Sequence, residues 1–163
     1  MIPTIKLQDE KIGDWSMQVL VLDGHSQILA LPVHGIIGNT IAERGKGSHR
    51  TVSWKLKIGN AVKSARGSDK WASNDRYAIT LGFAFHPKSH GNQPLDVENF
   101  IKPTLDALSA GLFCDQDVDL SLLEGWKYDD SHFNHFLVHR LFDAATAGQE
   151  GVAVFVSAAR SAK

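Results

Sequence analysis

Apolar and polar positions divide the chain into alternating strand-like and helix-like stretches. Ser16 to Leu22 and Gln27 to Val33 are apolar, β-rich runs flanking Asp23-Gly24-His25-Ser26, and an Asp-Gly pair tolerates the positive φ of a tight turn, so the two runs are expected to pair as an antiparallel hairpin. Residues 1–14 carry both charges with no clear period and read as an irregular or loosely docked terminus. Thr51 to Arg66 places Val52, Leu56, Ile58, Ala61, Val62 and Ala65 at roughly helical spacing, which predicts a basic amphipathic helix stopped by Gly67. Arg76 to Phe85 alternates only in part and is rich in β-formers, the pattern of a strand buried on both faces. Ile101, Leu105, Leu108 and Leu112 mark a second helix, from about residue 100 to 110, with Gly111 as its stop. Leu120 to Lys127 and Phe136 to Phe142 are short strand candidates, and Ala144 to Gly151 is a turn. Val152 to Ser157 is the clearest buried strand and is expected to close the sheet, ahead of a frayed tail at 158–163.

This order predicts a mixed α/β (α+β) fold in a single small domain over 1–163: a mixed β-sheet packed by two main helices, with 1–26 as an N-terminal extension or hairpin. The length suits one domain with its own core. An apolar fraction of 43% and a charged fraction of 21% are those of an ordinary globular chain. No apolar run approaches the roughly 20 residues of a bilayer span, and the N-terminus lacks the apolar core of a signal peptide. The lone Cys114 forms no intrachain disulfide and reads as a small buried hydrophobe, so a cytoplasmic location is expected, with no membrane association.

Charge changes the picture through its distribution. Between Arg44 and Arg76 nine basic residues face Asp69 and Asp75, a net of +7, whereas between Asp96 and Asp130 nine acids face Lys102 and Lys127, a net of −7. A basic half suits phosphates and an acidic half suits cations; the plainer alternative is two solvated faces of opposite sign. The glycine-rich stretch His34 to Arg50 reads as a flexible loop carrying Arg44, Lys46 and Arg50. With Lys55 and Lys57 on the following helix, these are the candidate DNA-backbone contacts. Gly45-Lys46-Gly47 lacks the spacing of a nucleotide-binding P-loop. Trp54 and Trp71 lie among the basic residues, where a ring either stacks a base or packs in the core.

The densest polar chemistry runs from Leu95 to Asp119, where Asp96, Glu98, Asp106, Asp115, Asp117 and Asp119 surround Asn99 and Lys102. Mg²⁺ or Mn²⁺ held by two or three carboxylates would support hydrolysis of a phosphodiester. Glu98 and Asp106 lie roughly 12 Å apart along a helix axis, too far to share a metal. Asp96 and Glu98, two residues apart, stay on one side only if the chain there is extended or turn-like, which puts the helix start near Asn99 or later and Pro103 in its first turn. The returning chain would bring Asp115 or Asp117 beside them as the third carboxylate. Three other readings compete. Glu98, Lys102 and Asp106 have the spacing of an exposed salt-bridged helix face. A calcium loop starting at Asp115 fails at Leu120 and Trp126. His132, His135 and His139 would bind zinc if they shared a helix face, but His139 falls in a strand-like run.

The spacing Asp96-x-Glu98-Asn99-x-x-Lys102-x-x-x-Asp106-Ala107-Leu108-x-x-Gly111-x-x-x-Asp115-Gln116-Asp117 resembles the signature of the RusA-type Holliday junction resolvases. The resemblance implies a small α/β homodimer that binds four-way DNA junctions and cuts them with Mg²⁺ or Mn²⁺. By position, Asp96 and Glu98 would be metal ligands, Lys102 would contact the scissile phosphate or steady the attacking water, Asn99 would support them, and Asp106 would be structural. The chain departs from that pattern at Glu98, where Asp is usual, and at Gln116, which splits the acidic pair.

The sequence therefore points to a metal-dependent endonuclease acting on branched DNA, with Asp96, Glu98, Lys102 and Asp115 or Asp117 at its centre. The alternatives are a non-catalytic DNA-binding protein of the same fold and a zinc-dependent hydrolase built on His132, His135 and His139.

Overall fold

A computed structural model describes residues 4–38, 48–72, 74–90, 96–113 and 133–160. Among the described residues the chain forms six strands, β1 (Ile5–Ile12), β2 (Trp15–Leu22), β3 (Gln27–His34), β4 (Arg76–Ala84), β5 (His135–Arg140) and β6 (Gly151–Ala159), and two α-helices, α1 (Ser48–Arg66) and α2 (Glu98–Phe113). Four strands make a mixed sheet in the order β3-β6-β4-β5, in which only β4 and β5 run parallel. The fold is thus the mixed α/β class read from the sequence, with two helices on the sheet. No described helix is long and apolar enough to cross a membrane.

Both helices cover one face of the sheet. Trp54, Ile58 and Val62 of α1 recur at i, i+4 and i+8 and enter the main core with Phe100, Leu105, Leu108 and Leu112 of α2 and the β4 and β6 side chains. Trp54 is therefore core, and its Nε1–H donates to Thr104 Oγ1 on α2 at 2.9 Å. Trp71 is buried too and packs on Tyr77, so neither indole is offered for base stacking. Gly67 ends α1 with φ +59, the expected left-handed cap.

Gly111, expected as a helix stop, lies inside α2. A Cβ there would sit 2.6 Å from the Gly59 carbonyl oxygen and 2.8 Å from Val62 Cβ, so this glycine and Gly59 let the two helix backbones cross closely. Arg66, counted above with the basic half, is buried and donates Nε–H to the Gly111 carbonyl at 2.9 Å. It stabilises the last turn of α2, where carbonyls lack intrahelical partners. Pro103 is likewise interior to the helix rather than in its first turn.

The N-terminal region differs most from expectation. Residues 5–12 form a strand that pairs with β2 across the Gly13-Asp14 turn, whereas β3 pairs with β6. The Asp23-Gly24 turn exists, with His25 N–H on Leu22 O at 3.2 Å, but it is a corner between two sheets. Turn residues specify a change of direction and not the partner of the next strand. The β1 strand has no legible period because most of its residues are exposed. In β2, Trp15, Met17, Val19 and Val21 alternate inward onto the second face of the main sheet. Its Leu20 and Leu22 amides donate to Thr80 Oγ1 (2.9 Å) and Ser157 Oγ (3.0 Å), which explains two fully buried hydroxyl residues in otherwise apolar strands. The hairpin is a third layer of the domain. β6, expected to close the sheet, occupies its interior, and Ala158 and Ala159, placed in a frayed tail, belong to it. The strand expected at Leu120 to Lys127 lies outside the described residues.

Two stability measurements follow from these contacts. Gly111→Ala is expected to cost ~1–3 kcal/mol in urea unfolding, because the added methyl meets backbone across the helix crossing; an unchanged midpoint would contradict that crossing. Burial, reinforced by the negative charge of Asp75, pushes the Tyr77 hydroxyl well above its ordinary range. The unfolded chain releases this proton near pH ~10 while the folded chain keeps it, so stability falls as pH rises beyond that point. Tyr77→Phe is expected to flatten the decline above about pH 10, read from unfolding midpoints.

Candidate functional site

The C-terminal ends of β3, β4 and β5 and the start of β6 meet at one end of the sheet. The start of α2 is brought to this end by the loop leaving β4, whose Pro87–His90 segment is a 3-10 turn. His90 packs edge-on against Phe100 of α2, with ring centroids 5.3 Å apart. The α1 end of the basic half is fastened to the same loop, since Arg50 Nη1–H donates to the Ser89 carbonyl at 2.6 Å. The basic helix and the carboxylate-bearing helix thus flank one loop.

Asp96 is exposed immediately before α2, and its Oδ1 accepts the Glu98 N–H at 3.2 Å while its main-chain carbonyl accepts the Asn99 N–H at 3.1 Å. It caps the helix, and its charge lies at the positive end of the helix dipole. Glu98 is exposed as the first helical residue, so the helix begins about one residue earlier than expected. Asn99 is half-buried. One turn on, Lys102 Nζ lies 2.9 Å from Asp106 Oδ1, with the lysine side chain 44% exposed and the aspartate side chain 8%. That asymmetry separates the site from a solvated ladder of charges: from Pro103 to Leu112 every α2 residue is buried, and Asp106 holds the lysine from inside.

Asp115 and Asp117, the candidates for a third carboxylate, lie outside the described residues, as do Arg44, Lys46 and His132. Among the described residues no three histidine, cysteine or carboxylate side chains gather in a way that would hold a metal. Asp96 and Glu98 are hard oxygen donors of the kind Mg²⁺ and Mn²⁺ take, and two carboxylates with water in the remaining positions fit such an ion. The histidine alternative fares differently. His135 and His139 both belong to the strand β5, four residues and roughly 13 Å apart, so they cannot share one zinc ion. His139 Nε2 lies instead 2.7 Å from the Gln18 carbonyl of β2.

One group at this end escaped the sequence reading. Glu150, just before β6, is fully buried. Its Oε2 accepts the Ile37 N–H at 2.8 Å, its Oε1 accepts the His86 N–H at 2.6 Å, and His90 Nε2 lies 2.9 Å from Oε2. One carboxylate therefore ties together the chain leaving β3, the loop leaving β4 and the start of β6. Its only sequence signal is an acid abutting the most apolar run of the chain, and nothing in the stretch Ala147-Gly148-Gln149-Glu150 separates it from an ordinary polar turn.

No protein-family model matches the chain, and a search of curated proteins finds no relative.

Glu150→Ala would leave the Ile37 and His86 amides without their acceptor in a buried site, and a loss of ~3 kcal/mol or more is expected in urea unfolding. Glu150→Gln keeps one acceptor oxygen and is expected to lose less. Amide hydrogen exchange at Ile37 and His86 should accelerate most in the alanine variant; uniform exchange across the chain would contradict the clamp.

Proposed function

We propose that the start of α2 is the centre of a metal-dependent endonuclease that hydrolyses phosphodiesters in branched DNA, four-way junctions being the substrate its motif resembles. The observation that carries this reading is the pairing of two exposed carboxylates at a helix N-terminus with a lysine held one turn away by a buried aspartate. The Asp106 carboxylate is buried while the Lys102 side chain it pairs with is 44% exposed, so the ammonium is restrained from its inner side at the edge of the carboxylate pair.

Asp96 and Glu98, with Asp115 or Asp117 as third partner, would hold Mg²⁺ or Mn²⁺. When bound, such an ion neutralises phosphate charge and acidifies water. The chain's own groups do the rest. The Lys102 ammonium, restrained by Asp106, offsets charge on a non-bridging phosphate oxygen as it builds up in the transition state. Asn99 supplies an amide that orients either the phosphate or a carboxylate beside it. The basic residues of α1, Arg50, Lys55 and Lys57 among them, draw the polyanion toward the acidic centre. A homodimer would present two such centres to a two-fold junction.

A second reading is supported by the Asp96 cap, a role that needs no metal: a protein of this fold that binds branched DNA without cutting it. One assay separates the two. Incubated with a synthetic four-way junction and Mg²⁺ or Mn²⁺, the protein is expected to cut it, and Asp96→Asn, which retains a good helix cap, is expected to bind but cut at least ~100-fold more slowly, the scale set by loss of strong transition-state stabilisation. Binding with no cutting under either metal would favour the non-catalytic reading.

A further inference from the structure

An open cleft of about 430 Å³ lies between the chain leaving β3 and the first half of α1, lined by Gly35, Ile36, Arg50, Ser53, Trp54 and Lys57. Its volume falls in the range of clefts that take small ligands. Among these lining residues there are two cations and no acid. Arg50, Ser53 and Lys57 share one face of the helix, whereas Lys55 stands about 140° around the axis from Arg50. Lys55 is half-buried and has an interaction of its own.

Of the two cations Arg50 is tethered, and Lys57 lies against the opposite wall of the cleft. The guanidinium of Arg50 is pinned through Nη1 to the Ser89 carbonyl, which leaves its remaining N–H donors for a planar fork onto an oxyanion. Lys57 lies along the backbone of Gly35, with Cδ and Nζ each 3.0 Å from the point a Cβ would occupy, so glycine at this position makes room for the lysine. The opposite wall is fixed on both sides of Ile36. Gly35 N–H donates to the Glu150 carbonyl at 3.0 Å, and Ile37 N–H donates to the Glu150 carboxylate. Ile36 itself is 39% exposed and forms an apolar lip of the cleft.

We propose that this cleft is a discrete binding site for a DNA backbone phosphate, formed by Arg50, Ser53 and Lys57, and that Lys55 takes no part in it. The inference rests on the DNA reading above and narrows a generally basic helix to one face. Each phosphate neutralised contributes a salt-dependent increment to affinity, which makes the contact countable.

The test is anisotropy of a labelled four-way junction in EDTA, so that binding is read without cleavage, over about 50 to 200 mM salt. Lys57→Ala is expected to flatten the plot of log affinity against log salt by about one unit and to weaken binding several-fold, while Lys55→Ala matches the wild type in slope. Gly35→Ala, whose methyl displaces only the flexible end of Lys57, should keep the wild-type unfolding midpoint and bind more weakly. Equal slopes for Lys57→Ala and the wild type, equal losses for Lys55→Ala and Lys57→Ala, or undiminished binding by Gly35→Ala would each overturn the cleft while leaving junction binding intact. A wild-type protein that binds no junction would overturn the cleft and the DNA reading together.

Discussion

The end of the sheet that carries the proposed chemistry depends on one buried carboxylate. Glu150 has no solvent to hydrate its charge, and its energetic cost is offset by two backbone amides and a histidine from separate segments. Because those donors belong to the chain after β3 and the loop after β4, satisfying one side chain sets the spacing of both. Further fixed points follow from it. His90 packs edge-on against Phe100 in the first turn of α2, and Ser89 accepts from Arg50. The cationic wall and the acidic helix start are thereby positioned from a common anchor.

Opposite charges are separated on this scaffold by element. The basic charge near the cleft comes from one face of α1, while Arg66, at the other end of the same helix, is buried and spends its donors on carbonyls. The acidic charge at the site comes from the exposed first turn of α2, and Asp106, deeper in the same helix, faces inward and restrains Lys102. Each helix thus divides its charged residues between holding the structure and facing solvent, a division that net charge over a stretch of sequence does not reveal.

Much of the architecture was legible because burial imposes period. β2, β3, β4, β6 and both helices carry apolar patterns matched to their secondary structure, and the class of fold follows from their order. What was illegible depended on partners distant in sequence. β1 is a mostly exposed strand that gives the core only its two end residues, Ile5 and Ile12, and β3 bonds to β6 from the far end of the chain instead of to its neighbour. Gly111 looked like a helix stop because glycine ends helices, yet here it serves the crossing with Gly59. Asp96, Glu98, Asn99 and Lys102 could be singled out as candidates because they lie close together in the sequence, at and just before the start of one helix. Glu150 comes from far along the chain, and only its burial reveals it.

The central claim is that the start of α2 takes a divalent metal. It is tested most directly by adding substoichiometric Mn²⁺ to isotope-labelled protein and following the loss of backbone amide signals, since a paramagnetic ion broadens the nuclei around it. Broadening that begins at Asp96 to Lys102, and is lost in the Asp96→Asn, Glu98→Gln double variant, is the expected result. Signals there that persist while others broaden, or that broaden equally in the double variant, would contradict it.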